Sequence, residues 1–138
     1  MTFPNSRSLQ VLVISGNTNM RRSIELTLRC ADISIIGSDS LLVFLARWKG
    51  ESRLLDAMIL EVGETDPATV GRIQILASIP ELPQTLLVAS AETIHLLDNV
   101  RKRPEVDVLV EPFSAFQLVK AVQELANKRI SSFGGGHS

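Results

Sequence analysis

Short apolar runs alternate with longer amphipathic segments along most of the chain. Five of these runs have the length of a β-strand, at residues 10–14, 33–37, 57–61, 85–89 and 106–110. Most are nearly continuous in Val, Ile and Leu, which is typical of strands that are buried on both faces of a parallel sheet. The hydrophobic pattern therefore predicts five strands that lie inside the protein.

Between the strands, apolar residues recur every three or four positions, which is the period of an α-helix. Asn17 or Thr18 can cap the first helix, and Ser114 with Gln117 has the spacing of a capping box at the start of the last one. Five strands that alternate with five helices indicate an α/β fold, a doubly wound parallel sheet with helices on both faces. The other helical segments are predicted at residues 18–30, 41–49, 68–77 and 93–102.

Composition and charge narrow the class of protein. The 138 residues suffice for one domain, and 14 basic against 15 acidic residues leave a net charge of −1. That balance gives no reason to expect nucleic acid or a membrane as a partner. The lone Cys30 fits a reducing, cytoplasmic setting, and we expect its thiol to be buried. No apolar run reaches the roughly 20 residues of a membrane span, and the first residues do not resemble a signal peptide.

The domain organisation follows from where the strand and helix pattern begins and ends. We assign residues 1–9 to an N-terminal extension and residues 10–129 to one folded domain. The segment "SSFGGGHS" is rich in Gly and Ser, so we expect residues 130–138 to form a flexible tail or linker.

Function in an open α/β sheet gathers outside the carboxyl ends of the strands. Ser15 and Gly16 follow the first strand, Glu61 ends the third, Ser90 follows the fourth and Glu111 follows the fifth. The two charged positions among them are both negative. If Glu61 and Glu111 lie close together, their repulsion should raise one pKa or turn one side chain towards solvent.

Four blocks of sequence, in order over roughly residues 10–128, resemble the response-regulator receiver domains of the CheY-like superfamily. They are "VLVIS", "LLDAMILEVG", "IPELPQTLLVASA" and "VDVLVEPFSAFQLVKAV". In that family the first block ends in paired acids, the second in the phosphoacceptor aspartate and the third in a hydroxyl residue, and the fourth contains a Lys-Pro-Phe turn. The resemblance implies a flavodoxin-like sheet of order 2-1-3-4-5 with five helices. It also implies a role in bacterial two-component, phosphorelay-type signal transduction.

The residues that carry the family's chemistry are mostly replaced. The acid-pair positions fall on Ser15 and Gly16, the phosphoacceptor position on Glu61 and the lysine position on Glu111, while Ser90 keeps the hydroxyl. The family uses Mg²⁺ and a lysine to transfer and hold a phosphoryl group, and these replacements supply neither the metal's hard oxygen ligands nor the positive charge. We therefore expect a degenerate pseudo-receiver that is not an enzyme, has no catalytic or cofactor-binding residue and binds Mg²⁺ weakly or not at all.

Two details of these positions stay open at the level of sequence. Glu61 can mimic a phosphorylated aspartate, although such mimicry normally relies on the missing lysine, or it can be an ordinary solvated carboxylate at a strand end. Ser90 can be the family's switch hydroxyl or a turn-forming hydroxyl. The resemblance also implies that the peptide bond between Glu111 and Pro112 is cis.

The family's usual contact surface comprises the fourth helix, the fifth strand and the fifth helix. Its aromatic switch position falls on Val108, so ring rotation should not control this surface. We expect contacts with other signalling proteins or an effector domain, or a homodimer through this face, and neither nucleic acid nor a membrane. The adjacent cations 101–103 are expected to be a solvated set at the end of the fourth helix. Residues expected on the face are Ile94, Leu97, Arg101, Val108, Val110 and Phe116.

An alternative function rests on the turn "SGNTN", which begins at Ser15 and ends at Asn19. It resembles part of the phosphate loop of flavodoxins, where backbone N–H groups and hydroxyls at a helix N-terminus bind the FMN phosphate. Flavodoxins share the predicted strand order. However, the segments after the third and fourth strands hold no aromatic residue to flank a flavin ring.

Overall fold

The protein contains a five-stranded sheet with helices on both faces. The computed structural model describes residues 9–36, 55–63 and 67–135. The strands are β1 (Gln10–Ile14), β2 (Ser34–Ile35), β3 (Ala57–Val62), β4 (Thr85–Ala89) and β5 (Val106–Val110). The helices are α1 (Thr18–Cys30), α2 (Pro67–Ser78) and α3 (Ala115–Gly135), with short 3₁₀ turns at Ile94–Leu97 and Val100–Lys102.

All four strand pairings are parallel, and the strand order is β2-β1-β3-β4-β5. This confirms the predicted fold class and the order implied by the receiver resemblance. Strands β1, β4 and β5 have the predicted limits, whereas β3 is one residue longer and β2 is shorter than expected. The helix predicted at residues 41–49 lies outside the described residues.

The core consists of two apolar layers, one on each face of the sheet. Successive side chains of a strand point to opposite faces, so Ala57 and Ile59 of β3 join one layer while Met58, Leu60 and Val62 join the other. Helices α1 and α3 cover the first layer, and α2 and the 3₁₀ turns cover the second. The central strands are therefore enclosed on both sides, as their continuous apolar sequences predict.

Both predicted caps are present. Asn17 caps α1, since its Oδ1 accepts a hydrogen bond of 3.0 Å from the backbone N–H of Met20. At the start of α3, the Ser114 N–H donates to Oε1 of Gln117 over 2.7 Å and the Gln117 N–H donates to Oγ of Ser114 over 3.1 Å. This reciprocal pair is a capping box, and it satisfies two N–H groups that the helix itself leaves without partners.

The α-helix predicted over residues 93–102 is wrong in type, because the chain forms two 3₁₀ turns there. Ile94, Leu97 and Val100 recur every three residues, which is the period of a 3₁₀ helix, and Leu97 and Val100 are fully buried. Asp98 and Asn99 lie between the two turns. Side chains of these types compete with the helical backbone for hydrogen bonds, which favours an interruption at this point.

Two other features differ from the sequence-based expectations. Helix α3 continues to Gly135 and so enters the segment predicted as a flexible tail, of which residues 136–138 are not described. Cys30 is exposed, not buried, because it lies on the outer side of the last turn of α1 while Ile24 and Leu28 provide the buried stripe. Within the described ranges, no helix is sufficiently long and apolar to cross a membrane.

The expectation of three solvated cations fails at Arg103. Its Nη1 donates to the backbone carbonyls of Leu76 over 2.8 Å and Ile79 over 2.6 Å, and its Nη2 forms an ion pair of 3.2 Å with Glu105. The carbonyls at the end of a helix lack intrahelical partners and carry the negative end of the helix dipole. Arg103 therefore caps the C-terminus of α2 and joins that helix to the start of β5, while Arg101 is exposed.

We expect R103A to lower the free energy of unfolding by about 2 kcal/mol, because it removes charge-assisted hydrogen bonds to partly buried carbonyls. The matched control is R101A, which removes the same charge from an exposed neighbour and should change stability by no more than about 0.5 kcal/mol. Urea unfolding followed by circular dichroism measures both. Equal effects of the two substitutions would contradict a capping role for Arg103.

Candidate functional site

The polar residues predicted at the carboxyl edge of the sheet lie together in the structure. Ser15 follows β1, Glu61 is in β3, Ser90 follows β4 and Glu111 follows β5, and all four are half-buried. Gly16 lies beside Ser15 and is exposed. Because all strands are parallel, their carboxyl ends meet at one edge, and this edge holds the candidate site.

A hydrogen bond joins the ends of β1 and β3. Oγ of Ser15 donates to Oε1 of Glu61 over 2.7 Å. The same Oγ accepts a bond of 3.0 Å from the backbone N–H of Asn17, the residue that caps α1. Ser15 therefore connects the Glu61 carboxylate to the turn that starts α1. Among the described residues, the Glu61 carboxylate is hydrogen-bonded to Ser15 and has no Lys or Arg partner.

Gly63 leaves the space into which the Glu61 side chain turns. A Cβ atom built at Gly63 would overlap the Glu61 carboxylate. The glycine two residues after Glu61 thus allows the carboxylate to fold back towards Ser15 instead of extending from the edge.

Glu111 confirms the expected electrostatic conflict. Burial raises the pKa of the Glu111 carboxyl above its ordinary value of 4.5, and the negative charge of Glu61 raises it further. Burial is the larger cause. The Glu111–Pro112 peptide bond is cis, as the receiver resemblance implied.

Thr93 is a site residue that the sequence pattern does not reveal. Its side chain is buried, and Oγ1 donates to the backbone carbonyl of Val62 at the end of β3 over 2.9 Å. Oγ1 also accepts a bond of 3.0 Å from the backbone N–H of Ser90, and the Ser90 hydroxyl lies 3.2 Å away. A hydroxyl four residues after a strand end is typical of a turn, but the contact with β3 connects residues 31 positions apart and leaves no local signal in the sequence.

The hydrogen-bond capacity of Thr93 determines what Ser90 can do. A threonine hydroxyl has one hydrogen, and the shorter and more deeply buried of its possible acceptors is the Val62 carbonyl. The Ser90 hydroxyl must then be the donor in its contact with Thr93. In this structure the Ser90 hydroxyl therefore hydrogen-bonds within the turn that follows β4.

The site is electronegative. In the ranges that the structure describes, neither Glu61 nor Glu111 has a hydrogen bond or ion pair with Lys or Arg. The same ranges contain no group of three or more His, Cys, Asp or Glu residues placed to hold a metal ion. A phosphate at the turn after β1, as the flavodoxin alternative requires, would meet the Glu61 carboxylate and a Ser15 hydroxyl already donated to it. This geometry does not favour FMN binding.

The predicted interaction face is only partly exposed. Phe116 is 73% exposed and Val110 37% exposed, and Arg101 is also on the surface. Ile94 and Val108 are half-buried. The prediction that Leu97 lies on this face is wrong. The three-residue period of the 3₁₀ turn directs it into the core beside Val100.

Comparison with known proteins identifies the fold. No protein-family model and no curated protein matches the sequence. A two-component response-regulator receiver domain from Bacteroides fragilis superposes with a TM-score of 0.68 at 16% identity, covering 87% of this chain and 98% of its own. A response regulator receiver domain protein from Clostridium thermocellum gives 0.70 at 14%, covering 88% and 96%. The beryllofluoride-activated NtrC4 receiver domain dimer gives 0.62 at 14%, covering 86% and 97%. The chain has the receiver fold.

We expect E61Q to lower the pKa of Glu111 without returning it to its ordinary value, because the substitution removes the smaller of two causes and leaves burial in place. Carbon-13 NMR of the Glu111 carboxyl during a pH titration measures this directly. E124Q, which removes an exposed charge from α3, is the control and should leave that pKa unchanged. An unchanged pKa in E61Q would show that Glu61 does not act on Glu111.

The raised pKa of Glu111 also determines how the stability of the protein changes with pH. Since the folded-state pKa of Glu111 lies above the unfolded value, the contribution of this residue to stability is fully present below about pH 4.5 and is lost as pH rises through the raised pKa. Because E61Q lowers the pKa of Glu111, the E61Q protein should lose less stability over that pH range than the original protein.

We expect T93V to lower the free energy of unfolding by about 2 kcal/mol, because it leaves the Val62 carbonyl and the Ser90 N–H without their buried partner. T93S keeps the hydroxyl and should recover most of the loss. S90A removes only a half-buried hydroxyl and should cost less than about 1 kcal/mol. Thermal unfolding compares the three variants. A loss in S90A as large as in T93V would refute the central role of Thr93.

Proposed function

We propose that this chain is an atypical receiver domain that works in two-component signal transduction without accepting a phosphoryl group. The observation that carries the proposal is the Glu61 carboxylate, which accepts a hydrogen bond from Ser15 and is close enough to Glu111 to raise its pKa. In the receivers that the sequence resembles, these positions hold an aspartate, an acid and a lysine. The chain thus has the receiver fold around a site of different chemistry.

Phosphoryl transfer needs a metal ion and positive charge at this edge. Mg²⁺ prefers hard oxygen ligands in near-octahedral geometry, and Ser15 and Gly16 supply no carboxylate at the acid-pair positions. We therefore infer that Mg²⁺ binds weakly or not at all. A longer side chain at Glu61 also moves the carboxylate away from the position that an aspartate would give an attacking oxygen.

Glu111 adds a second obstacle. A transferred phosphoryl group concentrates negative charge, which a receiver stabilises with a lysine at this position. Here the position carries a carboxyl group whose raised pKa reflects burial and a neighbouring negative charge. A further anion would increase that repulsion. The site residues are therefore structural in this proposal, and the domain is not an enzyme.

The remaining activity of such a domain is contact with other proteins. We infer a surface that includes Arg101, Val110 and Phe116, which are exposed along β5, the 3₁₀ turns and the start of α3. Its partners would be other signalling proteins or an effector domain in the bacterial cytoplasm. A homodimer is another candidate, since the NtrC4 receiver domain forms a dimer when activated by beryllofluoride. Val108 in place of an aromatic ring favours a surface that is always available.

Incubation with acetyl phosphate and Mg²⁺, followed by intact mass spectrometry, tests the proposal. We expect no phosphoryl adduct, because the metal ligands and the cation at position 111 are missing. A response regulator with the complete acid pair, aspartate and lysine serves as the positive control. The fourfold variant S15D/G16D/E61D/E111K, which places those groups on this chain, is the matched variant and should gain an adduct. A stoichiometric adduct on Glu61 of the unmodified protein would overturn the proposal.

A further inference from the structure

Strand β5 is the last strand of the sheet, and among the described residues no strand pairs with its outer row of backbone groups. The Thr85 N–H donates to the Glu105 carbonyl, and the Glu111 N–H donates to the Ala89 carbonyl, each over 2.8 Å. In a parallel ladder, alternate residues of a strand bond to a given neighbour. The N–H groups of Val106, Val108 and Val110 therefore point away from β4. Such an edge is a template on which another strand can pair.

Two of these three outward donors are used by the chain itself. The Val106 N–H donates to the Arg103 carbonyl over 3.1 Å. The Val108 N–H donates to Oδ1 of Asp107, the preceding side chain, over 2.9 Å. Asp107 is exposed, so its carboxylate sits on the open edge at the middle of the strand.

The C-terminal end of β5 would favour pairing with another strand if the backbone N–H at the middle of β5 were free. Val110 is 37% exposed, and Phe116 nearby in sequence is 73% exposed. Apolar side chains beside an open edge stabilise an added strand by burying surface. Two copies of the chain related by a twofold axis would bring their β5 strands together antiparallel.

We propose that Asp107 keeps the β5 edge of one molecule from pairing with the β5 edge of another. Its carboxylate accepts the hydrogen bond of the donor at the centre of the edge, and a paired edge would have to remove that charge from water. Contacts through this face then occur by side-chain packing, not by strand addition. The inference does not depend on whether the domain accepts a phosphoryl group.

D107A tests the proposal, because alanine frees the Val108 N–H and removes the charge. We expect a concentration-dependent doubling of the molar mass in light scattering after gel filtration. Hydrogen–deuterium exchange of the Val108 and Val110 amides should slow about tenfold on going from dilute to concentrated D107A, and should not change with concentration in the unmodified protein. E124A removes one exposed acid from α3 and should behave like the unmodified protein.

The double variant D107A/V110P addresses the backbone directly. Proline at position 110 removes an outward N–H and leaves the ladder bonds to β4 intact. It should abolish the dimer and the concentration-dependent protection. The proposal is overturned if D107A shows no concentration-dependent protection of β5, if E124A dimerises equally, or if the unmodified protein already protects its β5 amides by self-association. If the double variant does not fold, hydrogen–deuterium exchange of the β5 amides in D107A alone tests the proposal.

Discussion

The architecture depends on one constraint, which is that the central strands are enclosed by apolar layers on both faces. Ala57, Met58 and Ile59 of β3 and Leu86, Leu87 and Val88 of β4 are fully buried. A polar side chain within such strands would lose its hydration without compensation. In the central strands β3 and β4, polar side chains are therefore confined to positions at or next to the strand ends, and parallel pairing brings the carboxyl ends together. The site lies at this edge because the buried parts of the central strands cannot accommodate its polar side chains.

Because polar groups are confined to the strand ends, two carboxyl groups of like charge lie near each other there. Neighbouring side chains of the chain form hydrogen bonds at this edge. Two carboxylates meet at an edge where, among the described residues, neither has a Lys or Arg partner. Ser15 provides a hydrogen bond to one of them, and the pKa of the other rises. The hydroxyl of Thr93 likewise satisfies a carbonyl of β3 and an amide after β4. Ser15 and Thr93 thus link the ends of β1, β3 and β4 through hydrogen bonds between parts of the chain itself.

The parts of the structure that could be predicted are those determined by local sequence. Continuous runs of Val, Ile and Leu predict the strands, and β1, β4 and β5 begin and end at the predicted residues. The caps at Asn17 and Ser114 could be predicted because each is a contact between residues three positions apart. The site residues Ser15, Glu61, Ser90 and Glu111 followed from the rule that function lies at the carboxyl edge, and the structure brings them together.

What could not be predicted depends on contacts between distant residues or on a choice between similar local structures. The sequence does not distinguish Arg103 from its exposed neighbours, since nothing nearby reveals that it contacts carbonyls 24 and 27 positions earlier. The role of Thr93 is hidden in the sequence for the same reason. Leu97 was misplaced because apolar residues at a three-residue spacing fit both an α-helix and a 3₁₀ turn, and these place the same side chain in different directions. Periodicity can thus establish that a segment packs on the sheet, but packing decides which residues remain on the surface for a partner.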